Sequence, residues 1–192
     1  MSLAEVLVAM ALFGMISTSI ALLVNAAATY ARRAETRAEL QRTSLYVLSS
    51  LSRELVETSA DCVAYAPTTA LRPGVVFASP RGIDGQVGYS ASHRLLWKTW
   101  VAFYWDRDTG LLYRAMEEIS PATPFKPNPV SLLVTVESLA GSAGASRRVL
   151  ARRVSEFSAE GNREVTVALE VEVVQGDSRS ALTTRTAIRP HH

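Results

Sequence analysis

Cysteine is the scarcest chemical resource of this chain: Cys62 is the only one in 192 residues. That excludes an internal disulfide framework and a structural zinc site made of cysteines alone. Histidine is nearly as rare, with three residues, two of them His191 and His192, so little is left for metal chemistry. Lysine is reduced to Lys98 and Lys126, and arginine supplies the other eighteen of the twenty cations. Against eighteen acids the net charge is +2, which exerts no strong overall pull toward nucleic acid. Proline is absent before Pro67, so nothing interrupts a helix in the first third of the chain. Charge is absent as well: from Val6 to Ala31, 26 positions pass without a charged side chain. That exceeds the roughly 20 residues needed to cross a bilayer. A chain that is 48% hydrophobic is also too apolar to stay disordered.

What is present begins with a helical pattern from about Ser2 to Val56, which at 1.5 Å per residue would reach about 80 Å. Residues 1–30 carry one charge, Glu5, and read as the transmembrane half. Residues 31–58 form the amphipathic half, where Leu40, Leu45, Leu48, Leu51 and Leu55 recur at helical spacing among Arg37, Arg42, Arg53 and Glu54. Residues 59–192 read as a β-rich head. Gly74–Ser79 is a candidate strand, and residues 81–85 a turn. The aromatic run 94–105 turns through Asp106-Arg107-Asp108-Thr109-Gly110 into Leu111–Met116, a hairpin pattern. Four prolines in Ser120–Pro129 predict a loop, Val130–Leu139 a strand, and Gly141–Ser146 a flexible joint. The runs 148–157, 164–174 and 180–188, with turns at Gly161-Asn162 and Gly176-Asp177-Ser178, predict an antiparallel meander. The expected fold class is α+β, a long N-terminal helix whose second half packs on a mainly antiparallel sheet.

Glu5 is the anomaly. A secretory signal would carry Lys or Arg there, and a carboxylate in the apolar part of a span costs about 2.5–3.5 kcal/mol on insertion scales. With no Lys or Arg within four helical turns, the expected partner is not local; a free α-amine, of this chain or a neighbour, is the nearest candidate cation.

The stretch Met1-Ser2-Leu3-Ala4-Glu5-Val6-Leu7-Val8-Ala9-Met10-Ala11-Leu12-Phe13-Gly14 closely resembles the N-terminus of processed type IV pilins and type II secretion pseudopilins. In that family a prepilin peptidase cuts after a glycine, the new first residue, usually Phe, is N-methylated, the fifth is Glu, and an apolar helix follows. The resemblance implies that Met1 is the processed and methylated residue, Met standing where Phe is usual. It implies that Glu5 meets the positive N-terminus of an adjacent subunit during filament assembly. Gly14, followed by Ser17-Thr18-Ser19, marks the weakest helical stretch. Related major pilins lose helical structure near here, often with a proline where this chain has Leu22; close helix packing is the alternative role for Gly14. Further along, the run from Leu40 to Leu55, the hairpin VAFYWDRDTGLLYR and the closing strands resemble PilW-type minor pilins and J-type pseudopilins. The lone cysteine cannot close the C-terminal disulfide loop of many major pilins.

The implied function is a structural subunit of a pilus-like filament, a minor pilin or pseudopilin, with a major pilin as the alternative. Implied partners are other pilin subunits, the prepilin peptidase and an inner-membrane assembly platform with its motor ATPase. The implied location is the bacterial inner membrane before assembly and a periplasmic or surface filament afterwards. A membrane-tethered binding module is a further alternative, resting on Trp97, Trp100, Tyr104 and Trp105. Strand alternation puts Trp97 and Trp105 on one side and Trp100 and Tyr104 on the other. One side packs on the helix; the other is core, a contact with another subunit, or, with Arg147, Arg148, Arg152 and Arg153, a surface for sugar or single-stranded DNA. Asp106 and Asp108 have the spacing that opens a calcium loop but lack its later ligands, so a plain turn is expected. Cys62 and His93 lack a third catalytic group. No cofactor motif is present, and no enzyme is expected.

Overall fold

A computed structural model describes residues 2–161, 164–175 and 178–190. Met1 and parts of the two expected turns (Asn162, Gly176 and Asp177) lie outside the described residues. The chain divides into two units, 1–39 and 40–192. Helix α1 spans Leu3–Val56, as the absence of proline predicts.

In the second unit, α1 buries Leu40, Ser44, Val47, Leu48, Leu51, Glu54 and Leu55, a single stripe at three- and four-residue spacing. Leu45 does not belong to it, being 65% exposed. Five residues past Leu40 is a rotation roughly 140° off the stripe, so Ser44 and Val47 take the place expected of Leu45. The helix end is clamped to the sheet. Thr58 Oγ1 donates to the Ala78 carbonyl at 2.6 Å, and Arg81 donates from Nε and Nη2 to the two Glu57 oxygens at 2.6 Å each.

The first sheet has the order β1-β2-β4-β5-β6, formed by β1 (Val63–Ala66), β2 (Gly74–Ser79), β4 (Leu95–Asp106), β5 (Leu111–Thr123) and β6 (Ser146–Arg152), with β3 (Gly88–Tyr89) pairing β4. A second sheet, β7-β8-β9, comprises β7 (Val154–Gly161), β8 (Val165–Gln175) and β9 (Ser178–Ile188). All pairings are antiparallel. The α1 stripe, Val75, Phe77, Val101, Phe103, Leu112 and the apolar residues of the second sheet form one core. On the other face of the first sheet, helix α2 (Val136–Gly141) forms a second core with Cys62, Val76, Trp97, Trp100 and Tyr104. Gly74 is dictated by close approach, since a Cβ there would strike the Phe103 carbonyl and Tyr104 Cα.

Three expectations fail for local reasons. The run 148–157 is not one strand: Arg153 adopts a left-handed backbone (φ 59°) and divides it between the two sheets. Residues 130–139 are not a strand. Asn128 Oδ1 accepts from the amides of Val130 and Ser131, Leu133 takes a left-handed φ of 55°, and a Thr135/Ser138 capping box starts α2. The proline-rich loop begins later than expected, because β5 continues through Pro121 to Thr123. Beyond Met116 β6 no longer pairs with β5, so a strand with a free edge accommodates a residue lacking an N–H.

Candidate functional site

Within the first unit, residues 2–31 offer an apolar helical surface with one carboxylate, Glu5. Every described residue from Ser2 to Glu35 is exposed, Phe13 at 73% among them, and α1 contains a stretch long and apolar enough to cross a membrane. Its hydroxyls turn inward: Thr18, Ser19 and Thr29 donate to the carbonyls of Gly14, Met15 and Asn25 at 2.8–2.9 Å. In a medium without water such bonds satisfy groups that would otherwise be costly.

Glu5 does have a local partner, contrary to expectation. Its Oε2 accepts from the Ser2 amide at 2.7 Å, and its own amide donates to Ser2 Oγ at 3.4 Å. This is a reciprocal capping box, legible in retrospect as Ser2-x-x-Glu5. The bond is to a neutral donor, and Glu5 takes part in no ion pair among the described residues. Gly14 lies within continuous helix, and a Cβ there would meet nothing within 4 Å. No contact among the described residues therefore requires a glycine at this position.

The aromatic strand is not a binding ledge. A bulge between Trp97 and Thr99 shifts the register, so Trp97 joins Trp100 and Tyr104 beneath α2 instead of sharing the side of Trp105. All three are buried, and Tyr104 stacks on Tyr113 at 5.4 Å. Trp105 is half-buried against the α1 core, with the Arg107 guanidinium 5.4 Å from its ring centre. The basic run beside it is divided: Arg147 pairs in register with Ala115 and Arg148 with Arg114, on opposite faces of the sheet. Arg147 donates to the Ala140 carbonyl at 2.9 Å.

Asp106 and Asp108 do not converge on an ion site. Asp106 Oδ1 accepts from the amides of Asp108 and Thr109, and Gly110 (φ 65°) closes an ordinary turn. Cys62 is enclosed, and burial pushes its thiol up to about 11. His93 is exposed in a turn, and no hydrogen bond joins the two among the described residues. No group of three or more His, Cys, Asp or Glu among the described residues is placed to hold a metal.

One charged pair sits in the helix–sheet interface. Arg114 Nε donates to both Glu54 oxygens, at 2.9 and 3.2 Å. Burial pushes the Glu54 carboxyl above its usual range, against the opposing pull of Arg114. The sequence pattern sets Glu54 among the charges around the leucine stripe and does not single out Arg114; the stripe geometry of α1 places Glu54 inward. No protein-family model, curated protein or solved structure matches the chain.

Proposed function

We propose that the chain is a structural subunit of a type IV pilus-like filament, as a minor pilin or pseudopilin that helps start or assemble the fibre. The observation that carries this reading is a carboxylate, Glu5, on an exposed apolar helix, with no ion pair among the described residues. Such a group is costly in lipid until a cation pairs with it. The α-amine of a neighbouring subunit has the right charge, and pairing with it would set the depth at which subunits stack. Before assembly the same helix anchors the chain in the inner membrane. Prepilin peptidase, assembly platform and motor ATPase are the partners that follow from this role.

The capping box gives a test that separates the two functions of Glu5. Glu5→Gln keeps an acceptor for the Ser2 amide, since Gln serves in the same motif, but carries no charge. Glu5→Val removes both. If charge pairing sets assembly, both variants accumulate in the membrane and neither enters sheared filaments efficiently. Incorporation of Glu5→Gln at the normal level refutes the charge role and leaves only a helix cap. Quantitative mass spectrometry of the same filaments measures the subunit's share: trace amounts fit a minor pilin, and dominance makes it the major pilin.

A further inference from the structure

A cleft beside α1 holds more positive charge than the fold neutralises. Arg114 on β5 and Arg148 on β6 are direct register partners, and like charges opposite one another across two strands are destabilising. Arg53 enters from α1, so three guanidinium groups line a space of about 410 Å³ together with one carboxylate, Glu54. Ser50 and Tyr46 add hydroxyls to the same wall.

Most of these donors have no protein acceptor among the described residues. A guanidinium carries five N–H bonds, and the pair with Glu54 uses only the Nε of Arg114. Neither Arg53 nor Arg148 forms an ion pair among the described residues. The adjoining cleft, which shares Arg53, Glu54 and Arg114, differs in its third cation. There Arg81 donates from all three of its nitrogens, with Nε and Nη2 on Glu57 and Nη1 on the Gly85 carbonyl. The first cleft therefore differs by the guanidinium of Arg148, which has no ion pair among the described residues.

We propose that this cleft binds a phosphate dianion, gripped by the Nη groups of Arg114, with Arg53 and Arg148 closing on it from the helix and the edge strand. Three guanidiniums less one carboxylate leave two positive charges, which a terminal phosphate of about −1.5 to −2 at neutral pH matches. A single carboxylate would leave half of the excess unmatched. Planar guanidinium forks also suit tetrahedral phosphate oxygens bidentately. The phosphate is either free, as the inorganic ion or a soluble monoester, or the headgroup of a phosphatidic-acid-type lipid.

The test uses the full chain in two settings. In neutral detergent micelles, inorganic phosphate is titrated by calorimetry at fixed ionic strength. In phosphatidylcholine nanodiscs with and without phosphatidic acid, the unfolding midpoint is followed. Arg53→Gln and Arg148→Gln, both at exposed positions, are expected to weaken the response about tenfold or more, the scale of one charge-assisted hydrogen bond. Arg185→Gln on β9 serves as the control and leaves it unchanged. Saturation in micelles identifies free phosphate as the ligand; a midpoint rise confined to phosphatidic acid nanodiscs identifies the lipid headgroup. Absence of both responses, or a response that survives both Arg53→Gln and Arg148→Gln, overturns the proposal.

Discussion

Replacing Arg114 by Met isolates what the charged pair at the helix–sheet interface contributes. The Glu54 side chain is 6% exposed and that of Arg114 24%. Methionine retains much of the aliphatic contact but leaves a carboxylate without its donor beside the α1 core. Removing one partner of a buried pair costs about 3–5 kcal/mol; the partial exposure of Arg114 admits water and puts this case near about 3 kcal/mol. For a unit of this size that corresponds to a fall of about 6–12 °C in unfolding midpoint. The pH dependence has a definite sign. Glu54 is raised above its ordinary 4.5 by burial, so the fold favours its protonated form. Its contribution to stability is fullest below the unfolded pKa and is lost as pH rises through the folded one. Without Arg114 the folded pKa climbs further, so the deficit is large at pH 8 and shrinks toward pH 5. The double replacement Glu54→Leu/Arg114→Met removes both charges and restores stability to the parent level or above. Urea unfolding followed by the fluorescence of buried Trp97 and Trp100 measures all three variants at both pH values. The reasoning is refuted by a loss below about 1 kcal/mol at pH 8, by an equal deficit at both pH values, or by a double variant as unstable as the single.

Two further perturbations probe the core. Leu51→Ala, in the middle of the buried stripe, is expected to cost about 2–5 kcal/mol, whereas Leu45→Ala, on the exposed side, shifts stability by less than about 0.5 kcal/mol; equal losses in urea titrations would contradict the stripe assignment. Cys62, enclosed and with its thiol pushed up to about 11, should resist iodoacetamide at pH 8 in the folded chain and react once urea unfolds it; rapid native labelling counts against its burial.

The long helix was legible because it depends on composition over many residues: no proline, no charge from Val6 to Ala31, then a leucine stripe. The β4–β5 hairpin was legible for a similar reason, having a polar Asp-Arg-Asp-Thr-Gly turn between two aromatic and apolar runs. Errors fell where one residue decided the outcome. A bulge at Trp97–Thr99 moved a tryptophan to the opposite face, and strict alternation cannot anticipate it. Arg153 broke a run that no glycine or proline marked. Leu45 has the composition of a core residue and the wrong phase. At the candidate site, Glu5 stood out by charge alone, whereas its bond to Ser2 needed the Ser-x-x-Glu pattern to be read as a cap. The excess of guanidinium groups beside Glu54 was invisible, because Arg53, Arg114 and Arg148 are far apart in sequence and meet only through the register of β5 with β6 and the packing of α1.

The Arg153 corner decides where the head will tolerate alteration. One residue separates β6 from β7, and the backbone on either side of it is tied elsewhere: the Val154 amide donates to the Gly110 carbonyl at 3.0 Å, and the Arg153 carbonyl accepts from the Glu172 amide at 2.9 Å. The hairpin tip of the first sheet and the middle strand of the second are thus tied to the same corner. An epitope, fluorophore or protease site inserted there would cut both of these ties between the six-stranded and three-stranded sheets together. The turn around Asp84 and Gly85, exposed and outside the two cores, takes the same insertion at little cost, so it is the position to choose when the protein has to be tracked in cells.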